Sequence, residues 1–159
     1  MSEYPYLKIF LRSLKIAVGS SLAIFVAQLL ELQNAASAGI ITLITLVTTR
    51  WETVLLSYRR VVTFFLSAVL ACTIFQVVPW AWVDYGIYIF LMAVVCQLLK
   101  WETTISLNAV IGTHFLVSQD FSISFLLNEL CLVLIGILFA IMLNFFPKKG
   151  MDAEGDRAL

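Results

Sequence analysis

Two ionisable side chains stand inside apolar sequence: Glu129 and His114, the one histidine of the chain. Charge in hydrocarbon is costly, so such groups are functional candidates by default. His114 precedes a polar turn at Gln119-Asp120, and Glu129 follows it on the returning segment. At ~1.5 Å per residue both lie roughly 8 to 10 Å in from that turn. The turn is only a few residues long, so the flanking helices must be antiparallel neighbours. Imidazole and carboxylate then face each other and can share a proton. The competing reading is a hydrogen-bonded pair that pins two helices, with Asn128 assisting.

Other polar groups are fewer. Thr42, Thr45 and Thr49 fall on one helical face at spacings of three and four. Such a stripe can line a polar path, or each hydroxyl can bond the carbonyl one turn back. Asn108 is read as needing an interhelical partner or water. Residues 50–60, with Arg50, Arg59 and Arg60 around Trp51, Leu55 and Tyr58, read as a cationic segment on the membrane surface, with specific anion capture at a pore mouth as the alternative. Lys15 and Arg12 are expected to snorkel. No Gly-rich phosphate loop and no His and Cys set at ligand spacing occurs. The reading is therefore not an enzyme, with no cofactor and no metal.

The elements that carry these residues follow from composition. Hydrophobic residues make up 62% of the 159, charged residues 13%, and the mean hydropathy is +0.99. A soluble domain carries about a quarter charged residues, so the apolar excess must meet lipid. Apolar runs occupy residues 10–30, 35–49, 61–78, 83–99, 104–117 and 121–146. A helix needs about 20 residues to cross roughly 30 Å of hydrocarbon, which makes the second and fifth runs short.

Charge placement supports six spans. Lys8, Arg12, Lys15, Arg50, Arg59, Arg60, Lys100, Lys148, Lys149 and Arg157 are all ten Lys and Arg residues. With six spans every one falls on the side of the two termini, which the positive-inside rule makes cytoplasmic. The opposite loops carry Glu31, Asp84 and Asp120. The four tryptophans (51, 80, 82 and 101) and the three prolines (5, 79 and 147) sit at segment ends. The fold class is thus all-α: a polytopic membrane protein of six transmembrane helices, both termini inside. Residues 1–147 form one transmembrane domain, and 148–159 are expected to be a disordered cytoplasmic tail. Ala36-Ser37-Ala38 resembles a signal-peptide cleavage site, but the apolar run resumes at once, which suits a helical hairpin better. Cys72, Cys96 and Cys131 lie within apolar runs and read as small packing residues rather than a disulfide framework.

Two internal symmetries compete. Arg50-Trp51-Glu52-Thr53 and Lys100-Trp101-Glu102-Thr103 suggest a tandem repeat of two-helix hairpins, or convergent use of an interfacial Trp. Alternatively, helices 1 to 3 and 4 to 6 form inverted halves, with a transport path between the short second and fifth segments, which carry small or polar residues: Asn34, Ala35, Ala36, Ser37 and Gly39 in one, Asn108 and Gly112 in the other. Gly19, Ala23 and Ala27, and likewise Gly136 and Ala140, form small-residue packing faces whose partner is either this chain or a second copy.

Taken in order, Lys15-Ile16-Ala17, residues 36–42 (ASAGIIT), Thr113-His114-Phe115-Leu116 and Leu127-Asn128-Glu129-Leu130 resemble the membrane domain of the aromatic acid exporter family, related to fusaric acid resistance proteins. The likeness runs from about residue 8 to Pro147, and more distantly extends to plant malate channels that assemble as dimers. It implies proton-driven export of aromatic or other organic carboxylates from a plasma-membrane location. It also implies a longer cytoplasmic region after the last span, of which this sequence holds 148–159; a shortened member and a membrane module both fit. The expected partners are the lipid bilayer, a small organic anion and a second copy of the chain as a homodimer, with no nucleic acid. The expected pathway residues are His114, Glu129, Asn128, Asn108, Thr42, Thr45 and Thr49. A passive organic-anion channel and a non-transporting scaffold or regulatory subunit are the alternatives.

Overall fold

The structure is a computed structural model that describes residues 4–46, 50–77 and 80–145. Six α-helices follow one another: α1 (Tyr4–Leu29), α2 (Ala36–Thr45), α3 (Arg50–Ile74), α4 (Ala81–Leu98), α5 (Ile105–Ser118) and α6 (Ile123–Phe145), with a 3-10 turn at Glu102–Thr104 leading into α5. No strand forms among the described residues. Four stretches are long and apolar enough to cross a membrane: Ile9–Leu29, Trp51–Ile74, Ala81–Leu98 and Ile123–Phe145. The 10 residues of α2 reach only about 15 Å, half the hydrocarbon thickness, and the 14 of α5 about 21 Å. Thr49, Pro79, Pro147 and the tail 148–159 lie outside the described residues.

Residues 50–60 do not lie along a membrane surface; they are the first three turns of α3. The reason is visible in its inward face, where Thr53, Leu56, Ser57, Arg60, Thr63, Phe64, Ser67, Ala68 and Ala71 recur at helical spacing and are all buried. Trp51, Leu55, Tyr58 and Phe65 point outward on the opposite side. In a lipid surrounding, the polar stripe turns toward the protein and the apolar stripe away from it.

Helix ends are closed locally. At the end of α1, Glu31 takes a φ of 54°, the Leu32 N–H donates to Ala27 O and the Glu31 N–H to Gln28 O. Lys100 repeats this after α4 with a φ of 57°, Trp101 N donating to Cys96 O and Lys100 N to Gln97 O. Both are Schellman closures that satisfy carbonyls lipid could not. Ser122 caps α6, its Oγ accepting from Phe125 N at 3.2 Å. The two Trp-Glu-Thr motifs are not equivalent: Thr53 is buried inside α3, whereas Thr103 is exposed in the turn before α5.

Packing gathers α1, α2 and α6 into one group and α3, α4 and α5 into another, joined mainly where α3 meets α6. This grouping follows neither set of sequence halves. The small-residue faces are used within the chain: Gly19 opposes Leu143, and Ala23, Ala27 and Ala140 are fully buried. At Gly136 an added Cβ would stand 2.6 Å from Ile41 Cβ and 3.0 Å from the Ala38 carbonyl oxygen, so α2 and α6 touch backbone to backbone. Cys96 is buried beside Thr104, but Cys131 is exposed on α6. Gly86, by contrast, has open space around it. Gly136→Ala should therefore destabilise the fold by about 1–3 kcal/mol through overpacking, while Gly86→Ala should stabilise it by about 0.5–1 kcal/mol through helix propensity. Unfolding in mixed detergent micelles, followed by helical circular dichroism, reads both signs.

Candidate functional site: a hydrogen-bonded acid and imidazole at one end of the bundle

The end of α1, the start of α2, the end of α5 and the start of α6 converge on one polar cluster. His114 is one turn from the end of α5 and Glu129 two turns into α6. Nδ1 of His114 lies 2.6 Å from Oε2 of Glu129, whose side chain is 1% exposed against 14% for His114. The tight connection makes this possible: Gln119 turns the chain at a φ of 50°, and Ser122 N donates to Asp120 Oδ1 at 2.9 Å. That backbone bond, with the Ser122 side chain, holds the exposed Asp120 carboxyl below its usual range.

The remaining partners come from the turn into α2. Ser37 Oγ is 2.9 Å from Nε2 of His114. Asn34 Nδ2 and Asn128 Nδ2 each donate to Oε1 of Glu129 at 3.3 Å. Asn128 also clamps the backbone of Gln33, accepting its N–H at 2.8 Å and donating to its carbonyl at 3.1 Å. A neutral imidazole donates to Glu129 through Nδ1 and accepts the Ser37 hydroxyl at Nε2; an imidazolium donates at both nitrogens. The Ser37 hydroxyl serves either case by rotating. The cluster therefore accommodates at least two proton inventories with the same heavy-atom positions.

The other candidate residues lie elsewhere. Thr42 Oγ1 donates to Ala38 O at 2.8 Å and is 3.2 Å from Gly136 O. Thr45 Oγ1 donates to Ile41 O at 2.6 Å and accepts from Arg60 Nη1. Asn108 is buried between α4 and α5, where its Nδ2 donates to Thr104 O at 3.0 Å, a local bond the sequence did not suggest. Its Oδ1 is unpartnered, while Tyr88 Oη donates to the Asn108 carbonyl at 2.8 Å and contacts Ser67 Oγ. Thr49 cannot join this account, lying outside the described residues. The two short helices meet through the Ser37 to His114 bond, not along a shared face.

Sequence reasoning missed Asn34 and Ser37 as partners, Asp84 as a buried acid in the first turn of α4, and Arg60 as a buried cation. The polar period of α3 is the signal that could have revealed Arg60. Asn34 and Ser37 are marked only as polar residues flanking the short second segment, and their partners are 95 and 77 positions away. No group of three or more His, Cys, Asp or Glu among the described residues could hold a metal ion.

A family model described as aromatic acid exporter family member 1 matches residues 7–146. The chain belongs to the aromatic acid exporter family. The chain is also 32% identical over 139 residues to an uncharacterized protein of Bacillus subtilis (strain 168), YqjA, the match covering 87% of this chain and 43% of the relative. The chain thus spans less than half the length of that relative. No solved structure matches it. Within this exporter-family member, the Asn128 clamp on Gln33 ties the α1–α2 turn to α6. Asn128→Ala removes both bonds, each worth about 1 kcal/mol. Hydrogen exchange of the Gln33 amide should accelerate about tenfold or more, with amides in the middle of α4 unchanged.

Proposed function

We propose that this chain is the membrane part of a proton-coupled exporter of organic carboxylates, aromatic ones first. The observation that carries the reading is the His114 and Glu129 pair, an acid and an imidazole 2.6 Å apart near one end of a membrane protein from an exporter family. A group that takes up a proton from outside and releases it inside can couple the gradient to anion exit. The cluster fits that role because Ser37 and the two asparagines support more than one protonation state.

The orientation proposed with it has six membrane-inserted helices with both termini cytoplasmic, α2 reaching only part of the way. Gln33, Asn34, His114 and Asn128 mark the outer end. Thr53 and Asn144, joined by a 2.7 Å hydrogen bond, mark the inner end near Arg59 and Trp101, which form a cation-π contact. Between the two ends α6 runs 23 residues, about 34 Å. This places the cationic residues inward, as the positive-inside rule requires. A plasma-membrane homodimer completes the proposal, with the exposed Leu11, Leu14, Leu22 and Phe25 of α1 available to lipid or to the second copy.

A second reading has support in the same cluster: Glu129 and His114 already have partners at both ends, as a structural clasp in a non-transporting subunit would. Transport separates the two. Inside-out vesicles carrying the protein should accumulate labelled benzoate when their lumen is acidified, and Glu129→Gln should cut that flux at least tenfold. Undiminished gradient-driven flux in the variant sinks the coupling role, and absence of flux in the wild type across a panel of carboxylates favours the clasp.

Topology is checked with single-cysteine chains. Glu31→Cys and Asp120→Cys should label from outside intact cells and Lys100→Cys only after permeabilisation, while Leu22→Cys should crosslink to its own copy. The reverse labelling pattern overturns the orientation, and exclusively monomeric products overturn the pairing.

A further inference from the structure

Arg60 is the bulkiest of the fully buried side chains, 2% exposed and ten residues into α3. At 1.5 Å per residue it lies about 15 Å along that helix from its start, one position beyond Arg59 but on the inward face. The C-terminal end of α2 reaches the same place from the other side. Arg60 Nη1 donates to Thr45 Oγ1, and Nη2 is 3.5 Å from the Ile44 carbonyl. Among the described residues no carboxylate stands within ion-pair distance of the guanidinium, and its Nε has no partner at all.

The charge is therefore incompletely compensated. A helix C-terminus offers the equivalent of about half an elementary charge, and α2 is a helix of only 10 residues. A buried guanidinium without a full counter-charge is costly, and proteins retain such groups in membranes where an ion or substrate completes them. The unused Nε edge has the geometry that a carboxylate fills in bidentate fashion. Phe64 lies one turn further along the same face of α3 and is fully buried. Thr53 and Ser57 continue the buried polar face from Arg60 toward the start of α3.

We propose that Arg60 is the substrate-binding cation of the protein: the carboxylate of an aromatic acid takes the Nε edge of the guanidinium, and its ring lies toward Phe64. The substrate class rests on the exporter reading, but the site does not depend on the proton coupling of His114 and Glu129. Thr45, which Arg60 bonds, lies at the opposite end of α2 from Ser37, eight residues and about 12 Å along the helix. Binding and proton uptake are thus separable.

The test uses the full chain in lipid nanodiscs with benzoate and benzamide as probes, binding measured by calorimetry. Wild type should bind benzoate at least tenfold more tightly than benzamide. Arg60→Gln should weaken benzoate at least tenfold, to the level of benzamide, and leave benzamide unchanged. Arg60→Lys keeps the charge without the fork and should fall between. Benzoate affinity unchanged in Arg60→Gln, a parallel loss of both probes, or a wild type that binds neither overturns the site. If Arg60→Gln does not fold, thermal unfolding of the wild type decides: benzoate must raise the melting temperature and benzamide must not, and equal shifts overturn the proposal. Glu129→Gln separates the two readings. Wild-type benzoate affinity with gradient-driven flux lost supports both. Arg60-dependent binding in a protein whose flux ignores the gradient upholds the site and removes the coupling. Gradient-driven flux with no effect of Arg60→Gln on affinity removes the site alone.

Discussion

Lipid supplies no hydrogen-bond partner, and α2 stops after 10 residues. From this one constraint much of the architecture derives. In the proposed orientation α2 ends part-way across hydrocarbon, which leaves carbonyls and amides that only protein can satisfy. At its start, Ser37 N donates to Asn34 O and Asn128 grips the preceding Gln33 backbone. At its end, Arg60 reaches Thr45 and the Ile44 carbonyl. Along its length, Gly136 lets the α6 backbone come close enough for Thr42 to sit 3.2 Å from its carbonyl. These partners come from the α1–α2 turn, from α3 and from α6, so fixing one short helix draws α1, α3 and α6 together.

The same constraint inverts the usual pattern of α3. In a soluble protein its polar stripe of Thr53, Ser57, Arg60, Thr63 and Ser67 would face water. Here it faces the other helices, where the hydroxyls bond carbonyls one turn back: Ser57 to Thr53 at 2.6 Å and Thr63 to Arg59 at 2.9 Å. Those bonds satisfy two of the hydroxyls at low cost, while Ser67 meets Tyr88 Oη, Thr53 accepts from Asn144 and the guanidinium reaches across to α2. Arg59, one position away, escapes inward pressure and lies over the Trp101 ring at 5.8 Å. Adjacent arginines thus differ because helical phase places one outward and one inward.

Several features were legible in the sequence because they rest on local or additive physics. Helix number and the four long apolar segments follow from run length. The meeting of His114 and Glu129 follows from equal depth on either side of one short turn, although α5 and α6 part into different packing groups instead of running as antiparallel neighbours. The hidden features depend on side-chain direction and long-range pairing. Asn34 in its turn and Ser37 in the first turn of α2 are ordinary polar residues until the ends of α5 and α6 are brought to α1 and α2. Arg60 reads as interfacial when counted with Arg50 and Arg59 as a charge run, and as buried only when counted by its helical phase with Thr53, Ser57 and Ser67. The true length of α2 was concealed by the uninterrupted apolar character of residues 35–49, since hydropathy does not mark where a helix ends.

Both polar clusters are fastened to the same short element. Ser37 connects α2 to the imidazole that holds Glu129, and Thr45 connects it to Arg60. Ten residues of helix are rigid over about 15 Å, so a shift of α2 along its axis loosens or tightens contacts at both ends together. A site for protons and a site for an anion need not share atoms to be linked; they need one element whose position both of them favour or disfavour. The close backbone contact with α6 at Gly136 restricts which shifts are open to α2, because sliding would drive Ile41 or the Ala38 carbonyl into α6. Rotation about that contact would keep the backbones together, so if the two proposed sites are coupled through α2, the Gly136 contact is the natural pivot.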